Sequence, residues 1–153
     1  MQSAQRTPAN PEGAPIEIFD GLRAGMASDR SSFFKGLAMP LFGFNRPNAK
    51  VAQAAIDSFW MQDMLGGTKG QYESIKAFSE TDFTGDLKKM TIPALIIQGD
   101  DDQIVPISLA SLRSAKILPK ATLKIYPGAP HGLYATHAER VNADLMEFVN
   151  LVV

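Results

Sequence analysis

A chain of 153 residues, 45% of them hydrophobic and 20% charged, can bury one sizeable core but not two. Its 15 Lys and Arg are scattered among 16 Asp and Glu without a basic run, for a formal net charge of -1, which argues against a nucleic-acid surface. With no cysteine there is no disulfide, thiol nucleophile or thiolate metal site, and no apolar stretch reaches bilayer-spanning length.

Residues 1–15 are polar and rich in Pro, Ala and Asn, and read as a loop or linker. They lack the apolar core of a secretory signal, so a cytoplasmic location is expected. Residues 16–90 read as helical throughout. Ile16, Phe19, Leu22 and Met26 recur at helical spacing. Asp29 is a candidate cap for a helix through Phe33, Phe34 and Leu37 that Pro40 would end. From Lys50 to Leu65 the apolar face is Ala52, Ile56, Phe59, Trp60 and Met64, with Gly66-Gly67 as the stop. Tyr72, Ile75, Ala77 and Phe78 predict a further helix, and Thr84 a capped turn to Met90.

Residues 91–153 alternate instead. Ile92–Ile97 is an apolar run without alternation, the pattern of a strand covered on both faces. Ser108 would cap a helix through Leu112 and Ile117. Thr122–Tyr126 is the second strand, and Ala138–Val149 an amphipathic helix with Val141, Leu145 and Phe148 on one face. Strand, helix, strand, helix implies an α/β class with two parallel strands and a crossover. Two such strands make a poor sheet alone, so the sheet is expected to be incomplete.

Chemistry in open α/β sheets gathers at the carboxyl ends of strands. Gly99-Asp100-Asp101-Asp102-Gln103-Ile104-Val105-Pro106 follows the first strand and Gly128-Ala129-Pro130-His131-Gly132 the second. A histidine serves as a general base only when its tautomer is fixed, and a buried carboxylate accepting the Nδ1 proton fixes it. Asp102 and His131 therefore read as the second and third members of a Ser, Asp, His order. The sequence holds no Gly-x-Ser-x-Gly turn, and Ser31, Ser32, Ser108 and Ser111 are not flanked as a nucleophile elbow requires. Three adjacent carboxylates diverge in an extended loop, so no metal site is expected at Asp100–Asp102. Asp100 and Asp101 read as solvated or turn-forming, and His137 as facing solvent.

The segment from Pro93 to Leu133 resembles the end of an α/β-hydrolase, and more narrowly the cofactor-free bacterial haloperoxidases, or perhydrolases, and their arylesterase relatives. The likeness extends upstream through Phe78-Ser79-Glu80-Thr81-Asp82-Phe83, similar to that family's cap, and to Ala9-Asn10-Pro11-Glu12-Gly13, similar to the loop entering it. It implies a partial α/β-hydrolase fold: linker 1–15, helical cap 16–90 and C-terminal core 91–153. Asp102 would be the triad acid and His131 the triad base. Val105, on the acid's loop, would border the substrate pocket. Of the aromatics Phe33, Phe34, Phe42, Phe44, Trp60 and Phe78, the cap's position makes Trp60 and Phe78 pocket candidates.

The same resemblance implies hydrolysis of a small ester or carboxylic acid derivative without a cofactor. With hydrogen peroxide as acceptor it implies a peracid that oxidises halide. The family's nucleophile, oxyanion-hole amides and earlier strands correspond to nothing in these residues, which leaves Met1 as an internal methionine or the start of a truncated gene. The partner would be that N-terminal part or another subunit. Two other readings stay open, a non-enzymatic binding or assembly element that pairs through its sheet edge, and half of a split enzyme.

Overall fold

The computed structural model describes residues 4–8, 10–47, 49 and 51–152. Helices come first: α1 (Ile16–Ser28), α2 (Arg30–Leu41), α3 (Gln53–Leu65), α4 (Thr68–Glu80) and α5 (Thr84–Lys89). The Asp29 carboxylate caps α2 by accepting from the Ser32 amide. Pro40 sits inside the last turn of α2 and the helix runs one residue past it, to Leu41. The third helix starts at Gln53; Lys50, where the sequence put its start, lies outside the described residues, as does Ala9 of the cap-entry motif. Thr84 opens α5 rather than capping it. The cap oxygen belongs to Asp82, which accepts from both the Thr84 amide and its hydroxyl.

The second half forms β1 (Ala94–Gly99), a short 3-10 turn (Ile107–Leu109), α6 (Ser111–Ile117), β2 (Ala121–Tyr126), α7 (Leu133–Thr136) and α8 (Ala138–Val152). The first strand begins two residues later than its apolar run, because Pro93 has no N–H for a ladder and Ile92 is left exposed. Ser108 falls in the 3-10 turn, so α6 starts at Ser111, whose side chain has another use described below.

The strands pair in parallel, with Ala94 opposite Ala121 and Gly99 opposite Tyr126, and form a two-stranded sheet among the described residues. Both strands thus end level, which sets the loops after Gly99 and Tyr126 side by side. Much of the apolar surface around this sheet is uncovered. Ile125, Leu145, Met146, Val149 and Leu151 are all exposed, so only Val141 of the expected α8 face is buried. The arrangement is α/β with an incomplete sheet among the described residues, as the two strands of the sequence imply.

The last helix is fastened to β2 by polar contacts instead. The Tyr126 ring is fully buried, its hydroxyl donates to Asp144, and the Arg140 guanidinium lies 3.8 Å from the ring centroid. Burial and then the Asp144 carboxylate push the Tyr126 hydroxyl up to about 12. Lys124 pairs with Asp144 at 2.7 Å.

Two apolar clusters hold the molecule together. One joins Ala38, Leu41 and Phe42 of the α2 end to Ile56 of α3; the other joins Tyr126, Ala129, Leu133 and Val141. Ile104, from the loop after β1, packs into the first cluster, and the Gly132 amide donates to the Leu41 carbonyl at 2.7 Å. The helical region therefore grips the C-terminal half at both strand-end loops. Isolated bridges pair Gln5 with Ala14 and Thr7 with Asn10, and the Gln5 amide donates to the Ser79 carbonyl at 3.0 Å.

Candidate active site

The strand ends bring Asp102 and His131 together. The His131 ring places Nδ1 2.8 Å from Asp102 Oδ2. A carboxylate oxygen can only accept there, so the neutral ring carries its proton on Nδ1 and leaves Nε2 as the base. That Nε2 makes no hydrogen bond among the described residues, and the side chain is 40% exposed while Asp102's is 2%. The pair thus has a sealed acid and an open base.

Asp102 is held from every side. Its Oδ1 accepts from the Ile104 amide at 3.0 Å and the Val105 amide at 2.8 Å, and its Oδ2 also accepts from Gln98 Nε2 at 2.9 Å. Burial alone would raise its pKa, but the bonds from His131, Val105 and Gln98 outweigh burial and hold it below the usual carboxylate range. It stays ionised at neutral pH.

Two local devices set this geometry. Gly99 faces the Ala129 carbonyl so closely that an added Cβ would lie 1.9 Å from that oxygen, so only glycine lets the histidine's loop cross the end of β1. Gly128 adopts φ 70°, the left-handed region, and its amide donates to Asp100 Oδ1 at 2.6 Å. Asp100 is therefore the turn-former. Asp101 takes a fork of bonds from Arg46 at 2.7 and 2.8 Å, which lowers its pKa and ties the acid's loop to the segment after α2.

Beside that loop lies a cavity of about 550 Å³, lined chiefly by apolar groups of α1, α2 and α4. Phe33, Phe34 and Phe78 line it, with Ile104 contributed by the acid's loop. Val105 serves the acid through its backbone, its amide bonding Asp102 and its carbonyl accepting from Gln98. Trp60 does not line the cavity; its Nε1 donates to the Ser31 carbonyl and its ring receives the Lys35 ammonium at 5.0 Å. Phe42 belongs to the core cluster. His137 is half-buried rather than solvent-facing, with its ring edge-on to Tyr126 and Nδ1 2.8 Å from the Thr136 hydroxyl. Among the described residues no cluster of three or more His, Cys, Asp or Glu side chains could hold a metal ion. No helix of the described residues is long and apolar enough to cross a membrane.

Gln98, and the bond that Ser111 makes to it, lie outside the sequence motifs. The available signal was a lone amide in an otherwise apolar strand, since a polar side chain in a covered strand needs a partner.

Residues 6–138 match the model of the alpha/beta hydrolase fold family. The chain belongs to that family. Among curated relatives it is 51% identical over 145 residues to a non-heme chloroperoxidase of Burkholderia pyrrocinia and 48% identical to a non-heme haloperoxidase of Rhodococcus erythropolis. It is 45% identical to the bifunctional esterase/perhydrolase DCH of Acinetobacter calcoaceticus. These alignments take in 94% of this chain but 52% or 53% of each relative, so the chain spans about half their length. Among solved structures, a bromoperoxidase from Bacillus anthracis superposes with a TM-score of 0.91 at 31% identity, over 97% of this chain and 54% of that one. Within that family, the chain is similar to about half of each of these non-heme haloperoxidases and of the esterase/perhydrolase.

Proposed function

We propose that these residues supply the acid and base of a serine hydrolase acting on small esters. The observation that carries this reading is the 2.8 Å contact between a sealed, ionised Asp102 and the Nδ1 of a solvent-open His131. A nucleophilic serine, absent from any elbow in this sequence, comes from a segment outside these residues, joined to this chain or associated with it.

His131 Nε2 takes the serine hydroxyl proton as that oxygen attacks the acyl carbon, and Asp102 stabilises the resulting imidazolium. The imidazolium returns the proton to the leaving alcohol, and an acyl-enzyme remains. Water, deprotonated by the same Nε2, releases the acid. Hydrogen peroxide in place of water gives a peracid, which oxidises halide to hypohalite and is itself reduced to the acid. The cavity lined by Phe33, Phe34, Phe78 and Ile104 suits a short apolar acyl group. No resident cofactor enters any step.

The test is p-nitrophenyl acetate hydrolysis by this chain alone and by this chain fused to the N-terminal half of the Burkholderia relative. Turnover by the fusion, lost in His131→Ala, with none from the chain alone, is the expected result. Turnover by the chain alone that a serine-directed phosphonate blocks would overturn the assignment of the nucleophile. A well-folded fusion whose turnover ignores His131 would overturn the role of the base.

A further inference from the structure

Gln98 is the residue of β1 that the fold and the triad chemistry leave unexplained. It is 7% exposed, and a buried primary amide needs two acceptors for its N–H groups and donors for its oxygen. All are present. Nε2 donates to Asp102 Oδ2 at 2.9 Å and to the Val105 carbonyl at 2.6 Å. Oε1 accepts from the Ser111 amide at 3.3 Å and from the Ser111 hydroxyl. The carbonyl of Val105 and the carboxylate of Asp102 can only accept, and the Ser111 amide can only donate, so the amide has a single possible orientation.

We infer that Gln98, oriented by Ser111, is a positioning residue for the acid. It fixes Oδ2 of Asp102 where His131 Nδ1 meets it, and it closes the 102–105 loop by the second N–H. The inference rests on the acid–base reading of Asp102 and His131, and deepens it. Without Gln98 the carboxylate keeps its two backbone amides on Oδ1, but Oδ2 swings about them and the imidazole loses a fixed partner. Because one strand residue, one loop and the first residue of α6 meet at this amide, the position of the base is set by the sheet and not by its own loop alone.

The experiment uses the whole chain and reads the ring Nδ1–H proton of His131 by NMR, with the ring of His137 as internal control. In the unaltered chain that proton is expected far downfield and slow to exchange with water. Gln98→Met keeps the bulk and removes both donors, and should speed exchange roughly tenfold, the scale of one lost hydrogen bond, with His137 unmoved. Ser111→Ala keeps the backbone donor, and should speed it by a smaller factor, so the inference remains testable if the Met variant folds poorly.

Gln98→Glu separates positioning from packing. It retains the shape but sets an acceptor against Asp102, with His131 beyond it. Its melting temperature should fall relative to Gln98→Met as pH rises from 5 to 8, because the new carboxyl is stable there only while protonated. Unchanged Nδ1–H exchange in a folded Gln98→Met, or a Glu variant with the same pH profile as the Met variant, overturns the inference. A slow downfield Nδ1–H absent from the unaltered chain overturns the acid–base reading beneath it.

Discussion

Two buried polar clusters of this molecule stand in opposite states. Around Asp102 both carboxylate oxygens and the Gln98 amide are matched, through Ser111, the Ile104 and Val105 amides and His131 Nδ1. At the turn between α3 and α4 the Arg30 guanidinium satisfies the carbonyls of Asp63, Met64 and Gly66, yet Arg30 Nε, Asp63 Oδ2 and Gln71 Oε1 are buried without a partner among the described residues. Asp63 and Gln71 also line the apolar cavity. Burial raises the Asp63 pKa against the lowering pull of Arg30, whereas the hydrogen bonds of Asp102 overcome its burial. Similar chemistry gives opposite pKa shifts because one carboxylate has donors and the other does not. The Asp102 cluster is preorganised, the state the proposed acid–base role requires.

The largest expected effect comes from emptying the matched cluster. Asp102→Ala leaves the buried Gln98 amide and two backbone N–H groups without their acceptor, and should destabilise the chain by about 4 kcal/mol in urea denaturation. A loss under about 1 kcal/mol would show that water already serves these donors.

Gly99→Ala is next. It drives a methyl onto the Ala129 carbonyl, so the loop bearing His131 must lift from the strand end, at a cost of about 3 kcal/mol. The His131 ring resonances should move with it. Unmoved resonances would mean that β1 shifts instead.

The pH dependence follows from the two carboxylates. Asp102, with its pKa depressed on folding, contributes stability that is present above the unfolded carboxylate value and disappears as pH falls through its folded pKa. Asp63 has the other sign: its raised pKa makes the folded state bind the proton more tightly, so its contribution declines as pH rises between the unfolded and folded values. Asp63→Asn should therefore steepen the loss of stability on acidification from pH 6 to 4, as read by melting temperature. A flatter profile in that variant would reverse the assignment.

Tyr126→Phe gives the smallest effect. It removes one hydrogen bond, to Asp144, and should lower stability by about 1 kcal/mol in the same denaturation assay without touching the His131 resonances. A change at His131 would show that β2 transmits strain to the strand-end loops.

The sequence made parts of this legible for specific reasons. The helical spacing of Ile16 to Met26 and the Asp29 cap act locally, within one or two turns, and periodicity reports such features well. The neighbouring positions of Asp102 and His131 were also legible, because strand-end loops of parallel strands must sit together. What escaped depends on partners distant in sequence. Ser108 has the right residue type for a cap, but Ser111 is drawn to Gln98 across the crossover and the helix starts there. Trp60 shares its helical face with core residues, yet the Ser31 carbonyl and the Lys35 ammonium hold it away from the cavity. The short α7 spans four residues, too few for any periodicity to register. Leu145 fits an amphipathic pattern, and the pattern does not reveal that nothing among the described residues covers it.

The central claim is that Asp102 fixes His131 as an open base, and the ring nitrogens report it directly. Nitrogen-15 shifts of His131, taken on the full chain at a pH where the ring is neutral, should show a protonated Nδ1 and a bare Nε2. A ring protonated on Nε2, the form a free imidazole favours, would contradict the account.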